Sequence, residues 1–134
     1  MNSQHRVNWK IPAKQVIATG SQAVMFAPDG KTLATGGCRD RKVRIWDVQT
    51  GKMIRQFGTE EGMVMCLEYA PDGKSLATLE GGQVRLWELR NGKQLRQWAD
   101  GSTRNLAFTP DGKTLAWYFG RQIVLQSVDH TDSV

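Results

Sequence analysis

Three nearly identical nine-residue segments dominate this chain of 134 residues. They begin at Phe26, Tyr69 and Phe108, and each contains Pro-Asp-Gly-Lys followed by Thr or Ser, Leu and Ala. The segments start 43 and then 39 residues apart. A period of about 40 residues is typical of repeat architectures, in which each unit buries its apolar surface only against its neighbours. This periodicity constrains the fold more than any single residue does.

The first two repeats each divide into four short strands, and the third supplies the first three of the same set. Pro-Asp-Gly-Lys predicts a tight turn between the first two strands, because Pro presets φ and Gly accepts a positive φ. Gly51 and the pair Asn91-Gly92 predict a second turn before the fourth strand. No window shows the sustained i, i+3, i+4, i+7 apolar spacing of a helix. The sequence therefore predicts an all-β fold of four-stranded antiparallel sheets, with repeats at 22–57, 64–98 and 105–128.

Composition narrows the possible partners and compartments. The net charge is +5, but the basic residues are spread through all repeats, so a solvated surface is expected rather than a nucleic-acid site. No apolar run approaches the roughly 20 residues of a membrane helix, and residues 1–6 lead into no apolar segment. A cytoplasmic location without membrane contact is therefore expected. Cys38 and Cys66 lack partners at metal-ligand spacing, which predicts no metal or cofactor site.

The third strand of two repeats carries the most specific motif. It reads Val-Arg-Ile-Trp46-Asp47 in the first repeat and Val-Arg-Leu-Trp87-Glu88 in the second. Together with the Pro-Asp-Gly-Lys turns, these runs resemble the WD-repeat β-propeller family over about residues 22–128. The resemblance implies that each repeat is a four-stranded blade arranged around a central axis. It also implies structural roles for the two Trp-acid pairs, with both tryptophans packed between adjacent blades.

Several features depart from that family pattern. The third repeat keeps the apolar positions of this strand, at 122–128, but has no Trp-acid pair. Asp40 matches the structural aspartate of the family's tight turn, whereas Gly81 and Gly120 stand at the corresponding places, and no repeat has the family's His before its first strand. We therefore expect the buried His–Asp hydrogen-bond network of typical blades to be incomplete. Packing and turn geometry would then carry more of the stability.

The strand count suggests how the chain assembles. The repeats supply four, four and three strands, and segment 6–17, which alternates at Val7, Trp9 and Ile11, predicts one more. Residues 1–134 would then form a single module of three blades. Propellers typically have four to eight blades, and an open arc would expose two apolar faces. We predict a head-to-tail homodimer of six blades, in which segment 6–17 completes the last blade of the partner.

Two alternative arrangements also fit the strand count. The chain could be a segment of a longer propeller, in which case further blades of the same polypeptide cover the two faces. A trimer of nine blades would also leave no face uncovered.

Partner contacts are expected on loops at one rim, because scaffolds carry function on connecting segments. In the WD-repeat family, the favoured rim is formed by the loops before the first strand and between the second and third strands. Arginine and methionine are enriched at interface centres. The resemblance carries over to six candidate residues in these loops, namely Arg39, Arg41, Glu60, Glu61, Met63 and Arg104.

No convergent set of reactive groups is apparent in the sequence. The only histidines, His5 and His130, lie near the two ends, and Asp29, Asp72 and Asp111 recur inside the same turn. Catalysis needs unlike groups that converge, not one group at every period. The sequence therefore predicts a non-catalytic scaffold that binds itself and an unidentified protein. The alternative is a ligand-binding or enzymatic propeller with a site in its central channel.

Overall fold

The computed structural model describes residues 23–37, 41–58, 62–80, 82–99 and 105–128. The regular secondary structure in these ranges consists entirely of β-strands. In chain order they are β1 Ala23–Phe26, β2 Thr32–Gly36, β3 Val43–Asp47, β4 Met53–Phe57, β5 Val64–Tyr69, β6 Ser75–Glu80, β7 Gln83–Glu88, β8 Lys93–Ala99, β9 Leu106–Phe108, β10 Thr114–Phe119 and β11 Gln122–Ser127. The strand predicted within 6–17 lies outside the described residues.

The strands pair in chain order into antiparallel sheets. Sheet 1 contains β1 to β4, sheet 2 contains β5 to β8, and sheet 3 contains β9 to β11 in the part of the chain that the structure describes. The observed strands fall within one or two residues of the predicted repeats. The all-β fold of antiparallel, blade-like sheets is therefore confirmed. The three sheets do not close a ring by themselves, so closure by a second copy stays a prediction.

The Pro-Asp-Gly-Lys turns have the same geometry in all three sheets. In the first, the Gly30 N–H donates to the Ala27 carbonyl and the Lys31 N–H donates to Asp29 Oδ1, each over 2.9 Å. Gly30 has a φ of 72°, a conformation in which a residue without a Cβ is favoured. Asp72 and Asp111 accept the corresponding backbone bonds in the other two turns. These turns lie at one end of the sheets, the turn end; the opposite end is the loop end.

Two apolar layers hold the sheets together face to face. Residues of sheets 1 and 2 form one cluster, which includes Val43, Ile45, Leu67 and Leu76. A second cluster between sheets 2 and 3 consists of Ala77, Leu79, Val84, Leu86, Leu106, Leu115, Trp117 and Val128. Because sheet 2 is covered on both sides, its strands β6 and β7 are almost entirely buried. Sheets 1 and 3 each use only one face in these two layers.

The outer strands of sheets 1 and 2 have an irregularity at the same repeat position. The register of β3 with β4 shifts between Ile45 and Trp46, and that of β7 with β8 shifts between Leu86 and Trp87. Such bulges increase the local right-handed twist.

A helix that could span a membrane is absent from the ranges that the structure describes.

Candidate functional site

At the loop end, sheets 1 and 2 meet at one backbone carbonyl. Gly37 follows β2, and its carbonyl oxygen accepts hydrogen bonds from the backbone N–H groups of Arg41 and Val64, each over 3.2 Å. These bonds join the end of β2, the approach to β3 and the start of β5. We call Gly37, Arg41, Gly58, Met63 and Val64 the Gly37 rim.

Two unusual backbone conformations shape this rim. Gly58 has a φ of 139°, and a Cβ at this position would lie 3.2 Å from the carbonyl oxygen of Arg41. Glycine therefore lets the end of β4 approach the loop closely. Arg41 has a φ of 54°, which is uncommon for a residue with a side chain. Sparsely populated backbone conformations cluster at functional sites, so the rim is a candidate for partner contacts.

Two of the six predicted interface residues, Arg41 and Met63, belong to the Gly37 rim. Both are exposed. Arg41 and Val64, the chain neighbour of Met63, both donate to the Gly37 carbonyl, so Arg41 and Met63 lie at the same junction. The other four, Arg39, Glu60, Glu61 and Arg104, lie outside the described residues, as does Asp40.

A buried polar network lies inside sheet 2, facing sheet 1. The indole Nε1–H of Trp87 donates to Thr78 Oγ1 over 2.9 Å, and the Thr78 hydroxyl donates to Glu80 Oε2 over 2.8 Å. Glu80 Oε1 lies 3.6 Å from the Arg85 guanidinium, and these two side chains are 0% and 2% exposed. From the sequence, packing and turn geometry are expected to carry more of the stability, and sheet 2 adds this buried polar network to them. It contains a Glu–Arg pair that the sequence pattern does not predict.

The other two sheets fill the same positions differently. In sheet 1, Trp46 Nε1–H donates to Thr35 Oγ1 over 2.9 Å, as in sheet 2, but Gly37 stands where Glu80 would be. In sheet 3, Trp117 occupies the threonine position, and its ring lies 5.7 Å from that of Trp98 in sheet 2. Sequence reasoning noted the tryptophan lost from the third strand but missed the one gained in the second. Aligning Trp117 with Thr35 and Thr78 would have shown it.

The acidic residues of the Trp-acid pairs hold the turns between the third and fourth strands. Asp47 Oδ1 accepts a hydrogen bond from the Thr50 N–H over 2.9 Å. Glu88 Oε1 accepts one from Asn91 Nδ2 over 3.1 Å, and Glu88 Oε2 lies 3.3 Å from Arg90 Nη2. Trp87 is buried between sheets 1 and 2, close to Phe57. Trp46, which was expected between two blades, is only half-buried, because it lies on the outer face of sheet 1.

This outer face of sheet 1 exposes residues whose repeat counterparts are buried. Phe26 takes the place of Tyr69 in the repeat, and it is 59% exposed whereas Tyr69 is 3% exposed. The strand pairing places four side chains on this surface, which we call the Phe26 face: Val24, Phe26, Leu33 and Trp46. Their counterparts in sheet 2 are buried against sheet 1: Leu67, Tyr69, Leu76 and Trp87.

The outer face of sheet 3 exposes residues whose counterparts in sheet 2 pack on the following sheet. Leu125 takes the place of Leu86, and it is 71% exposed whereas Leu86 is fully buried. The strand pairing groups the side chains of the Leu125 face, which are Ala116, Tyr118, Ile123 and Leu125. Their counterparts in sheet 2 are buried against sheet 3: Ala77, Leu79, Val84 and Leu86. The Phe26 face thus corresponds to a surface that packs on a preceding sheet, and the Leu125 face to one that packs on a following sheet.

The inner strand β5 carries two half-buried titratable side chains. Cys66 and Glu68 pair with Leu79 and Ala77 of β6, on the side that faces sheet 3. Burial raises the pKa of the Cys66 thiol and the pKa of the Glu68 carboxyl. No three His, Cys, Asp or Glu side chains are grouped as metal ligands in the described ranges.

Comparison with known proteins agrees with this arrangement. The family model for the WD40 domain of anaphase-promoting complex subunit 4 matches residues 3–70. The chain is 44% identical over 48 residues to a periodic tryptophan protein 2 homolog of Dictyostelium discoideum, covering 36% of the chain and 5% of that protein. It is 43% identical over 49 residues to eukaryotic translation initiation factor 3 subunit I of Phaeosphaeria nodorum, covering 37% and 14%.

A third similar protein is the general transcriptional corepressor TUP1 of Saccharomyces cerevisiae, which is 42% identical over 48 residues, covering 36% of the chain and 7% of that protein. The chain thus spans only a small part of the length of these relatives. The family match extends over half of the chain and includes the first Pro-Asp-Gly-Lys turn and the first Trp-Asp pair. This chain therefore belongs to the WD-repeat family.

Proposed function

We propose that this chain is a non-catalytic protein-interaction domain whose sheets are blades of a closed propeller. A second copy, joined head to tail, completes a ring of six blades. The supporting observation is the pair of outer faces: the Phe26 face and the Leu125 face are the two halves of the sheet-to-sheet contact that the chain already makes twice internally. Head-to-tail contacts form a ring when the rotation between copies closes.

The apolar character of both faces favours this assembly. Exposed apolar surface of this kind marks an interaction site or an aggregation hazard, and mutual burial removes both faces from water. Strand β11 has no further strand beside it in the described part of sheet 3. In the proposed ring, segment 6–17 of the partner copy pairs with this edge and supplies the fourth strand.

The loop end would then carry the partner site of the scaffold. The Gly37 rim presents Arg41 and Met63, and the proposal extends the surface to the neighbouring loop residues Arg39, Glu60, Glu61 and Arg104. A ring of two copies repeats this surface twice around the axis. Two relatives carry names that describe a subunit of a translation initiation factor and a transcriptional corepressor, which supports an interaction role. The proposal includes an unidentified protein as the partner at this surface and a cytoplasmic location for the chain.

Light scattering coupled to size-exclusion chromatography tests the ring directly. The expected mass is twice the 15.0 kDa of one chain. Leu125→Lys places a charge in the proposed contact and should shift the mass toward that of one chain. Ile54→Lys is the matched control, because Ile54 is also more than half exposed but lines the space between sheets 1 and 2 rather than an outer face, and it should leave the mass unchanged.

A longer propeller is the second candidate. It is favoured by the lengths of the three relatives, of which the chain covers 5% to 14%. The outer faces would then pack on further blades of the same polypeptide. A well-folded species with the mass of one chain, unchanged by Leu125→Lys, would reject the ring in favour of this candidate, and three times the mass would indicate nine blades.

A further inference from the structure

A groove of about 910 Å³ lies between sheets 1 and 2 at the turn end, away from the Gly37 rim. Its apolar lining comes from both sheets: Ala27, Ile45 and Ile54 from sheet 1, and Leu89 from sheet 2. Ile54 is 52% exposed, although it forms part of this lining. The volume is within the range of about 300–1,000 Å³ that is usual for binding sites.

Arg55 supplies a positively charged wall to this groove. The side chain is half-buried, and its stem lies close to sheet 2, because a Cβ on Gly92 would lie 3.5 Å from Arg55 Cδ. Among the described residues, no carboxylate is paired with the Arg55 guanidinium. Glu88, which also lines the groove, is engaged by Arg90 and Asn91.

The inner part of the groove carries charges of both signs. Asp29, Asp72 and Lys74 line it, and each aspartate accepts a backbone hydrogen bond of its own turn. The two turns are neighbours, since a Cβ on Gly73 would lie 3.8 Å from Pro28 Cδ. A carboxylate entering the groove would therefore meet two carboxylates as well as Lys74 at this end, whereas near Arg55 it would meet the half-buried guanidinium.

We propose that this surface, the Arg55 groove, binds an extended segment of a partner protein. The segment places an apolar side chain on Ile54 and Leu89 and the carboxylate of one adjacent acidic residue against Arg55. A guanidinium and a carboxylate form two parallel charge-assisted hydrogen bonds, which gives both attraction and orientation. The inference rests on the proposed scaffold function but not on the ring, because one chain supplies the whole groove.

Amide NMR titration with two short peptides tests the proposal. The probes are acetyl-Ser-Leu-Glu-Ser-amide and its Leu-Gln counterpart, added to the ¹⁵N-labelled protein. The Leu-Glu peptide is expected to shift the amide signals of Ile54, Arg55 and Leu89 and to bind at least about fivefold more tightly than the Leu-Gln peptide. The difference should shrink as salt is added.

Two variants assign the effect to the guanidinium. Arg55→Gln should abolish the preference for the Leu-Glu peptide, while Arg121→Gln, an equal loss of charge at an exposed position of the loop end, should retain it. Equal binding of both peptides, shifts confined to the Gly37 rim, or no shift at about 5 mM peptide would overturn the proposal. The mass of each sample is measured alongside the titration. If the unsubstituted protein is a dimer but shows no preference for the Leu-Glu peptide, the groove proposal is rejected and the ring is not. If it is a folded monomer that shows the preference, the ring is rejected and the groove proposal is not.

Discussion

Replacing Glu80 by alanine should destabilise this protein far more than breaking an ion pair at its surface. Glu80 and Arg85 are buried in the polar network of sheet 2, 3.6 Å apart. Removing the carboxylate takes the charge of Glu80 away from a buried guanidinium, and breaking a buried pair in this way costs about 3–5 kcal/mol. It also removes the acceptor of the Thr78 hydroxyl. With a total stability of about 5–15 kcal/mol for a domain, the melting temperature should fall by about 10–20 °C.

Two variants isolate the cause of this loss. Arg90→Gln breaks the Glu88–Arg90 pair, whose arginine is 80% exposed, and should cost about 0–1 kcal/mol. The double change Glu80→Leu with Arg85→Met replaces both charges by apolar groups, which is often close to neutral for a buried pair. It should therefore be more stable than Glu80→Ala.

Urea unfolding followed by circular dichroism measures all three free energies of unfolding. One protein concentration is used throughout, because an oligomer gains stability with concentration. If Glu80→Ala costs no more than Arg90→Gln, the buried pair is not a significant part of the stability. If the double variant is as unstable as Glu80→Ala, the loss comes from altered packing rather than from an uncompensated charge.

Close contacts and shifted pKa values give three more predictions. Gly36→Ala should cost about 1–3 kcal/mol in urea unfolding, because its Cβ would lie 2.5 Å from Val64 Cγ1; Val64→Ala in the same chain should recover part of the loss. Burial raises the pKa of Cys66, so mass spectrometry should find its peptide alkylated by iodoacetamide more slowly in the folded than in the unfolded protein at about pH 8. Burial also raises the pKa of Glu68, so ionisation of this carboxyl lowers stability as the pH rises. Glu68→Gln should therefore raise the melting temperature at neutral pH, and the gain should vanish below about pH 4, where Glu68 is protonated in both the folded and the unfolded protein; a gain independent of pH would contradict this reasoning.

The turns and strand order could be predicted because they follow from local chemistry. Pro-Asp-Gly-Lys fixes φ at the proline, accepts positive φ at the glycine and offers the aspartate as an acceptor, and all three copies use the same bonds. Once the turns are placed, the lengths between them leave room only for short strands that pair in chain order. The four, four and three strands of the described sheets were predicted on this basis.

The polar network and the groove could not be found in the same way. Glu80 ends the second strand of its repeat, and its burial depends on Thr78 and Arg85 turning toward sheet 1. A sequence pattern gives the face of a residue but not the charge that lies opposite it. The Arg55 groove depends on how residues of sheets 1 and 2 come together at the turn end, and no period in the sequence encodes that packing.

A single small residue shapes the junction between sheets 1 and 2 at the loop end. Gly36 lets Val64 approach the backbone of β2 so closely that a Cβ would overlap it, and the adjacent Gly37 carbonyl can then accept the Val64 N–H. The counterparts of Gly36 are Leu79 in sheet 2 and Tyr118 in sheet 3, so neither can reproduce this contact. In the part of the chain that the structure describes, this glycine-dependent close approach therefore belongs to the first junction. In a ring of two copies the Gly37 rim would occur twice, on opposite sides of the axis, so a partner able to reach both would gain avidity that a single rim cannot provide.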